Sequence, residues 1–255
     1  MKIVYADAFK DQSEKIEKIL SDFSEKGKTL SSGRNTIKTF DLNGRSVNVK
    51  SFRIPNLINK FVYRFFRKSK AERSFSYAEY LLSREVGTPF PVAYAEECKW
   101  LTFGRSYYIC DHLEYDFTFR DIKKFEDAAH QEAVLRAFTR FTYDLHEKNI
   151  EFLDHSPGNT LIQIDGEGFQ FFLVDLNRMN FKRLDFKQRM KNFSRLTPNK
   201  EMIQIMANEY SQLTAWNENE VFETMWGYTQ EFQEKLPALF VNSVLCCCIY
   251  QFFHG

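Results

Sequence analysis

Leu153-Asp154-His155-Ser156-Pro157-Gly158-Asn159 stands directly before two short alternating stretches, Thr160–Ile164 and Phe169–Val174, and the second runs into Asp175-Leu176-Asn177. Asp165-Gly166-Glu167-Gly168 joins the two stretches and reads as the turn of a hairpin. Asp154 lies five positions before Asn159, across a turn stiffened by Pro157 and opened by Gly158. Such a turn holds a carboxylate that can orient a hydroxyl and take its proton beside an amide oxygen that can hold a metal ion. Asp175 adds a second carboxylate at the end of a strand. Each signal alone is weak, because a strand-end Asp is more often a turn residue or helix cap. Their order, with a hairpin between them, is what turns them into a candidate site.

That order is the one in which protein kinases place the catalytic-loop Asp, its Asn and the Asp of the D-F-G motif. Here the last motif reads Asp175-Leu176-Asn177, so its Phe–Gly part and any switch built on it are missing. Upstream, Lys50 closes the strand Val47-Asn48-Val49-Lys50, as the Lys of V-A-I-K does. A cation there would hold the α- and β-phosphates of a nucleotide and pair with a Glu on the following helix. Glu72 and Glu79 both qualify, two turns apart, and the distance of Glu72 to the Pro-containing turn favours it. Ser31-Ser32-Gly33-Arg34-Asn35 would cover the nucleotide, although its single Gly fails G-x-G-x-x-G.

Outward from these motifs, the chain reads as strands, a helix, strands, then a helix, the short hairpin and more helices. Ile16, Ile19, Leu20 and Phe23 form a helical stripe within residues 12–26. Thr36–Phe40 and Ser46–Phe52 alternate around Asp41-Leu42-Asn43-Gly44, where Asn-Gly marks a hairpin, so two or three antiparallel strands occupy about residues 28–53. Residues 57–85 read as helical, followed by a strand pair at Pro91–Ala95 and Tyr107–Asp111. From about residue 128 Val134, Phe138, Phe141 and Leu145 mark the buried face of an amphipathic helix, and after about 184 everything reads as helix. The fold class is therefore α+β: a strand-rich first half, residues 1–113, and a helical second half, residues 114–255, with Asp111–Glu114 as the hinge.

The chain resembles the lipopolysaccharide core kinases, the Kdo and heptose kinases of protein-kinase-like bilobal fold. The matching stretches are Gly33-Arg34-Asn35, Val49-Lys50, Ser69–Phe75, Thr88-Pro89-Phe90-Pro91, Ser106-Tyr107-Tyr108, Asp154–Asn159 and Asp175-Leu176-Asn177-Arg178. The resemblance implies ATP and Mg²⁺ as cofactors and phosphorylation of a Kdo or heptose hydroxyl on the lipid A–core glycolipid, at the cytoplasmic face of the inner membrane. It implies Asp154 and Asn159 as catalytic residues and Asn159 and Asp175 as metal ligands. Lys50, Glu72, Gly33, Arg34 and Asn35 would bind the nucleotide. An aminoglycoside- or choline-type kinase shares this machinery but usually offers its cationic substrate an acidic pocket. A protein kinase would carry A-P-E after Asp175, which this chain lacks. A catalytically dead kinase-like binding module stays open because of the single-Gly loop.

Composition sets further bounds. Of 255 residues 44% are hydrophobic and 27% charged, as in an ordinary folded protein, and 27 Phe point to a Phe-rich core. With 35 basic against 34 acidic residues the net charge is +1, so no nucleic-acid partner is expected. Local basic stretches exist nonetheless. Residues 181–196 carry six basic residues and one acidic one, and residues 58–73 set Lys60, Arg64, Arg67, Lys68, Lys70 and Arg73 among Phe61, Phe65 and Phe66. Either could contact an anionic glycolipid or membrane surface, or simply be a solvated helix face. No run approaches the roughly 18–20 apolar residues that span a bilayer, and the N-terminus lacks a secretory h-region, so the expected compartment is the cytoplasm. The cysteines follow no C-x-x-C spacing, and the Cys246-Cys247-Cys248 tail fits either a buried terminal helix or a stretch foreign to the native fold. His146 and His155 read as braces for a helix end and a loop rather than as bases.

Overall fold

The Asn43-Gly44 turn forms as its sequence demands: in the computed structural model both residues have positive φ, 58° and 81°, the mirror-image turn that matches strand twist. The structure describes residues 1–33, 35–53, 68–98, 103–166 and 168–252, with positions 98, 103 and 237–252 as backbone only. Arg34, residues 54–67, which take in the start of the expected helix 57–85 and most of the basic stretch 58–73, and the side chains of the Cys246–Cys248 tail lie outside the described residues. The chain divides into two compact units, Met1–Tyr115 with Phe172–Met179, and Asp116–Phe171 with Asn180–Gly255.

In chain order the first unit holds β1 (Lys2–Tyr5), α1 (Ser13–Asp22), β2 (Lys28–Ser32), β3 (Thr36–Leu42), β4 (Arg45–Phe52), α2 (Lys70–Ser83), β5 (Pro91–Cys98) and β6 (Phe103–Asp111). Its six-stranded sheet has the order β1-β5-β6-β4-β3-β2. The register Lys50↔Tyr108 and Tyr94↔Tyr108 places Lys50, Tyr108 and Tyr94 on one face. The opposite face, carrying Tyr107, meets Phe23 just after α1 at 5.3 Å, while Ile16, Ile19 and Leu20 of α1 are buried. On the Lys50 face, α2 buries Ala71, Phe75, Ala78 and Leu81, and Phe75 packs 5.4 Å from Tyr94. Ser69 caps α2 by accepting from the Glu72 amide at 3.0 Å, a contact worth about 1 kcal/mol.

Segment 172–179 belongs with these strands, although a cut at residue 113 would assign it to the helical half. The link is polar and specific. The Leu173 amide donates to Gly87 O (2.9 Å), and Thr88 Oγ1 donates to Leu173 O (2.8 Å). The Gly87-Thr88 turn after α2 thus anchors the strand end that carries Asp175.

The second unit holds β7 (Phe117–Thr118), α3 (Ala128–Glu147), β8 (Ile150–Phe152), β9 (Thr160–Asp165), β10 (Gly168–Leu173, its last two residues in the first unit), β11 (Met179–Phe181, its first residue in the first unit), α4 (Phe186–Asn192), α5 (Lys200–Thr214) and α6 (Glu218–Phe252). Val134, Phe138 and Leu145 of α3 are buried as their spacing predicts, and Phe141 is partly buried. Val134 and Phe138 share one core with Met202, Ile203, Met206 and Tyr210 of α5 and Val221 and Met225 of α6. Buried Glu209 accepts from Arg136 and Arg140, and Arg136 also pairs with Glu132, so the buried carboxylate is met by two guanidiniums. Strands β1, β7, β8 and β11 have two to four residues each. That is too short to show an alternating period, which explains their absence from the sequence reading.

Candidate active site

The loop after β8 is tied to itself and to its floor. Asn159 Nδ2 donates to the Asp154 carbonyl (2.9 Å) and the Asn159 amide to Ser156 O (3.0 Å). The Arg120 amide donates to Pro157 O at 2.9 Å. A Cβ on Gly158 would stand 3.0 Å from Arg120 Nη2, so the loop passes that guanidinium where a side chain would press on it. Asp154 and Asn159 thus share one closed turn, as their spacing predicts.

Beneath the loop His155 is buried, stacked 5.2 Å from Phe138 and near Phe152 and Phe193. His146 lies behind it: Nε2 is 3.2 Å from Asn192 Oδ1, and Nδ1 is 2.9 Å from the Tyr210 hydroxyl. Asn192 Nδ2 donates to Phe152 O (2.9 Å), which leaves Oδ1 as the acceptor facing His146. The geometry therefore assigns the proton to His146 Nε2, with Nδ1 accepting from Tyr210. Both histidines are braces, as the sequence suggests.

Burial drives His146 down to about 3 and His155 down to about 4. An unfolded histidine titrates near 6.5, so between those values the unfolded chain binds more protons and stability rises with pH. The stabilisation is complete above about pH 6.5 and is lost as pH falls toward 4. Urea midpoints measured at pH 7 and pH 5 should show the fall, and His146→Gln should flatten it; an unchanged slope would contradict neutral burial of the ring.

In the first unit, Lys50 Nζ bonds Asp175 Oδ1 at 2.7 Å, joining residues 125 positions apart. The Lys50 ammonium also lies 5.3 Å over the Phe52 ring. Asn177 Nδ2 donates to the same Asp175 oxygen, and Asn177 itself is buried. Asp175 has φ +61°, the left-handed conformation that short polar side chains tolerate and that costs about 1–3 kcal/mol elsewhere. Two donors on one carboxylate oxygen hold the residue there.

The Lys50 partner differs from the expected one. Among the described residues Lys50 pairs with Asp175, while Glu72 pairs with Lys68 at 3.3 Å. The acids of α2 nevertheless face the Lys50 side of the sheet. The Tyr94 phenol is pushed up to about 12 by burial, then by Glu72, Glu96 and Glu79. Burial, then Asp7, also raises the Glu79 carboxyl. Among the described residues nothing lies within 4 Å of a Cβ position on Gly33, so none of them requires glycine there. Asn35 Oδ1 accepts from the Arg53 amide at 3.3 Å and braces the turn. At the expected hinge the Asp111 and His112 amides donate to Phe90 O and Ser46 O, both at 2.9 Å. The Cys110 thiol is pushed up to about 12 by burial, which removes it as a nucleophile.

Two site residues escaped the sequence reading. Asn177 figured as a departure from D-F-G and as part of the matching stretch Asp175–Arg178 but was given no role, and Arg195 figured only as part of a basic stretch. Arg195 Nη1 lies 2.9 Å from Asp154 Oδ1 and 3.1 Å from Leu153 O. The rest of that stretch is also partly absorbed. Arg189 bonds Glu147 (2.6 Å), Lys182 lies 4.0 Å from Glu151, and Lys191 sits over the Tyr228 ring. Residues 181–196 therefore present less free positive charge than their composition implies.

A strand-rich unit carrying a Lys–Asp pair, and a helical unit carrying an Asp-x4-Asn loop before a hairpin, define a protein-kinase-like phosphotransferase. Comparison with known proteins narrows the class. Residues 19–216 match the family described as lipopolysaccharide kinase (Kdo/WaaP), and the chain belongs to that family. It is thus an ATP-dependent kinase of an α+β, kinase-like fold. Among solved structures it is similar to WaaP in complex with acyl carrier protein, at 16% identity and TM-score 0.64, covering 94% of this chain and 100% of that one. That likeness speaks for the fold alone. No curated protein matches the chain. Among the described residues no helix is long and apolar enough to cross a membrane, and no cluster of three or more His, Cys, Asp or Glu could hold a metal.

Proposed function

We propose that the protein transfers the γ-phosphoryl group of ATP to a Kdo or heptose hydroxyl of the lipopolysaccharide inner core, acting peripherally at the cytoplasmic face of the inner membrane. The observation that carries this reading is the 2.7 Å pair between Lys50 and Asp175, the cation and strand-end carboxylate that a kinase site needs. Family membership supports a lipopolysaccharide-related acceptor.

The donor chemistry fits Mg²⁺, which takes hard oxygen ligands and binds through one or two carboxylates together with phosphates and water. Asp175 and Asn159 would hold it, and Mg²⁺–ATP when bound supplies the phosphoryl group and neutralises charge on the phosphate oxygens. Lys50 would hold the α- and β-phosphates, with Asp175 and the acids of α2 limiting where its ammonium can go. Asp154 orients the acceptor hydroxyl and takes its proton late in an in-line displacement. Positioning and fixed charge supply most of the rate in such a loose transition state. Gly33, Arg34 and Asn35 would cover the nucleotide.

ATP consumption by the purified protein, measured with Kdo₂-lipid A, heptosylated core and no acceptor, tests this reading. Turnover with one of the two glycolipids is expected and names the sugar. Turnover only with small cationic alcohols would favour the aminoglycoside- or choline-type reading. Nucleotide binding without turnover on any acceptor would favour a binding module.

A further inference from the structure

We infer that Arg195 is a positioning residue for Asp154, an inference that rests on the role proposed above for that carboxylate. Arg195 lies in the turn between α4 and α5, and folding brings it to a residue 41 positions upstream. Its Nη1 donates to Asp154 Oδ1 (2.9 Å) and to the Leu153 carbonyl (3.1 Å), so one guanidinium fixes both the carboxylate and the backbone entering the loop. The guanidinium lies 5.5 Å over the Phe232 ring of α6. Its Nε is buried without a hydrogen-bond partner, and the ring adds a cation–π attraction to the guanidinium.

The Asp154 side chain is 18% exposed and that of Arg195 35%, and a planar fork held by a ring has few other places to go. A lysine would supply the charge from a compact, strongly hydrated ammonium rather than from a weakly hydrated planar guanidinium lying over the ring. Arg195 thus keeps Asp154 aimed before an acceptor arrives, the preorganisation that a proton acceptor needs.

The test compares kcat, acceptor KM and Mg–ATP affinity for wild type, Arg195→Met, Arg195→Lys, Phe232→Leu, Asp154→Asn and the Arg195→Met/Asp154→Asn double variant. Arg195→Met should lower kcat by about 10²-fold with both substrate affinities near wild type, and Arg195→Lys should recover part of it. Phe232→Leu should lower kcat by a smaller factor of the same kind. In the Asp154→Asn background, followed under single-turnover conditions, Arg195→Met should cost several-fold less than in wild type. Equal costs in both backgrounds, or a rise in acceptor KM alone, would overturn the inference. Full turnover in Asp154→Asn would instead unseat the role of Asp154 itself. If Arg195→Met fails to fold, Arg195→Lys and Phe232→Leu carry the decision, and wild-type kcat in both rejects the inference.

Discussion

Asp154→Ala is expected to lower kcat by about 10²–10⁴-fold, the usual contribution of a positioned general base. Mg–ATP affinity should stay close to wild type, because none of the contacts proposed for the nucleotide uses the Asp154 carboxylate. The substitution also leaves Arg195 without its 2.9 Å partner. Partly exposed pairs of this kind are worth about 0–1 kcal/mol, so thermal unfolding should shift by only a few degrees. The loop itself should persist, since Asn159 grips the Asp154 carbonyl rather than its side chain. Steady-state kinetics beside nucleotide titration and a melting curve separate these effects, and an intact kcat would remove Asp154 from the mechanism.

Asp175→Ala is expected to damage both catalysis and nucleotide binding. It removes the proposed metal carboxylate and the acceptor shared by Lys50 and Asn177. Losing a charge-assisted contact costs about 1.5–3 kcal/mol, which corresponds to roughly 10–100-fold weaker Mg–ATP binding. kcat should fall by at least the same factor. Ala also suits φ +61° less well than Asp, so part of any stability loss is backbone strain. Asp175→Asn separates the two: it keeps the left-handed tolerance and loses the charge. Calorimetric titration with Mg–ATP should find Asp175→Asn weak in binding yet close to wild type in unfolding temperature. Wild-type affinity in Asp175→Asn would show that the metal is held elsewhere.

Local chemistry explains why the site motifs were legible before folding. Asp154 and Asn159 sit in one turn, and a turn is specified by its own Pro157 and Gly158. The turns at Asn43-Gly44 and Gly166 are specified by residues that accept unusual φ, and the α3 face by apolar residues at helical spacing. Lys50 was legible for a similar reason: it lies in a strand, β4, whose alternation shows directly in Val47 and Val49.

The partners of those residues were another matter. Glu72 was the expected carboxylate for Lys50 because it lies on the next helix, yet the 2.7 Å partner is Asp175, brought to the sheet when Gly87 and Thr88 bind Leu173. Arg195 looked like one more cation in a basic stretch, and no spacing rule links it to Asp154. Its role emerges only when the α4–α5 turn is laid against the catalytic loop and Phe232 covers the guanidinium.

The sequence by itself determined the turns, the helical faces, the kinase-like order of Lys50, Asp154, Asn159 and Asp175, and the family to which the chain belongs. Each of these is written in neighbouring residues. Tertiary structure alone decided which carboxylate Lys50 meets, that Asn177 and Arg195 attend the two aspartates, and that His146 and His155 are neutral. Those outcomes depend on distances between residues far apart in the chain and on burial, quantities that exist only once the apolar faces have packed.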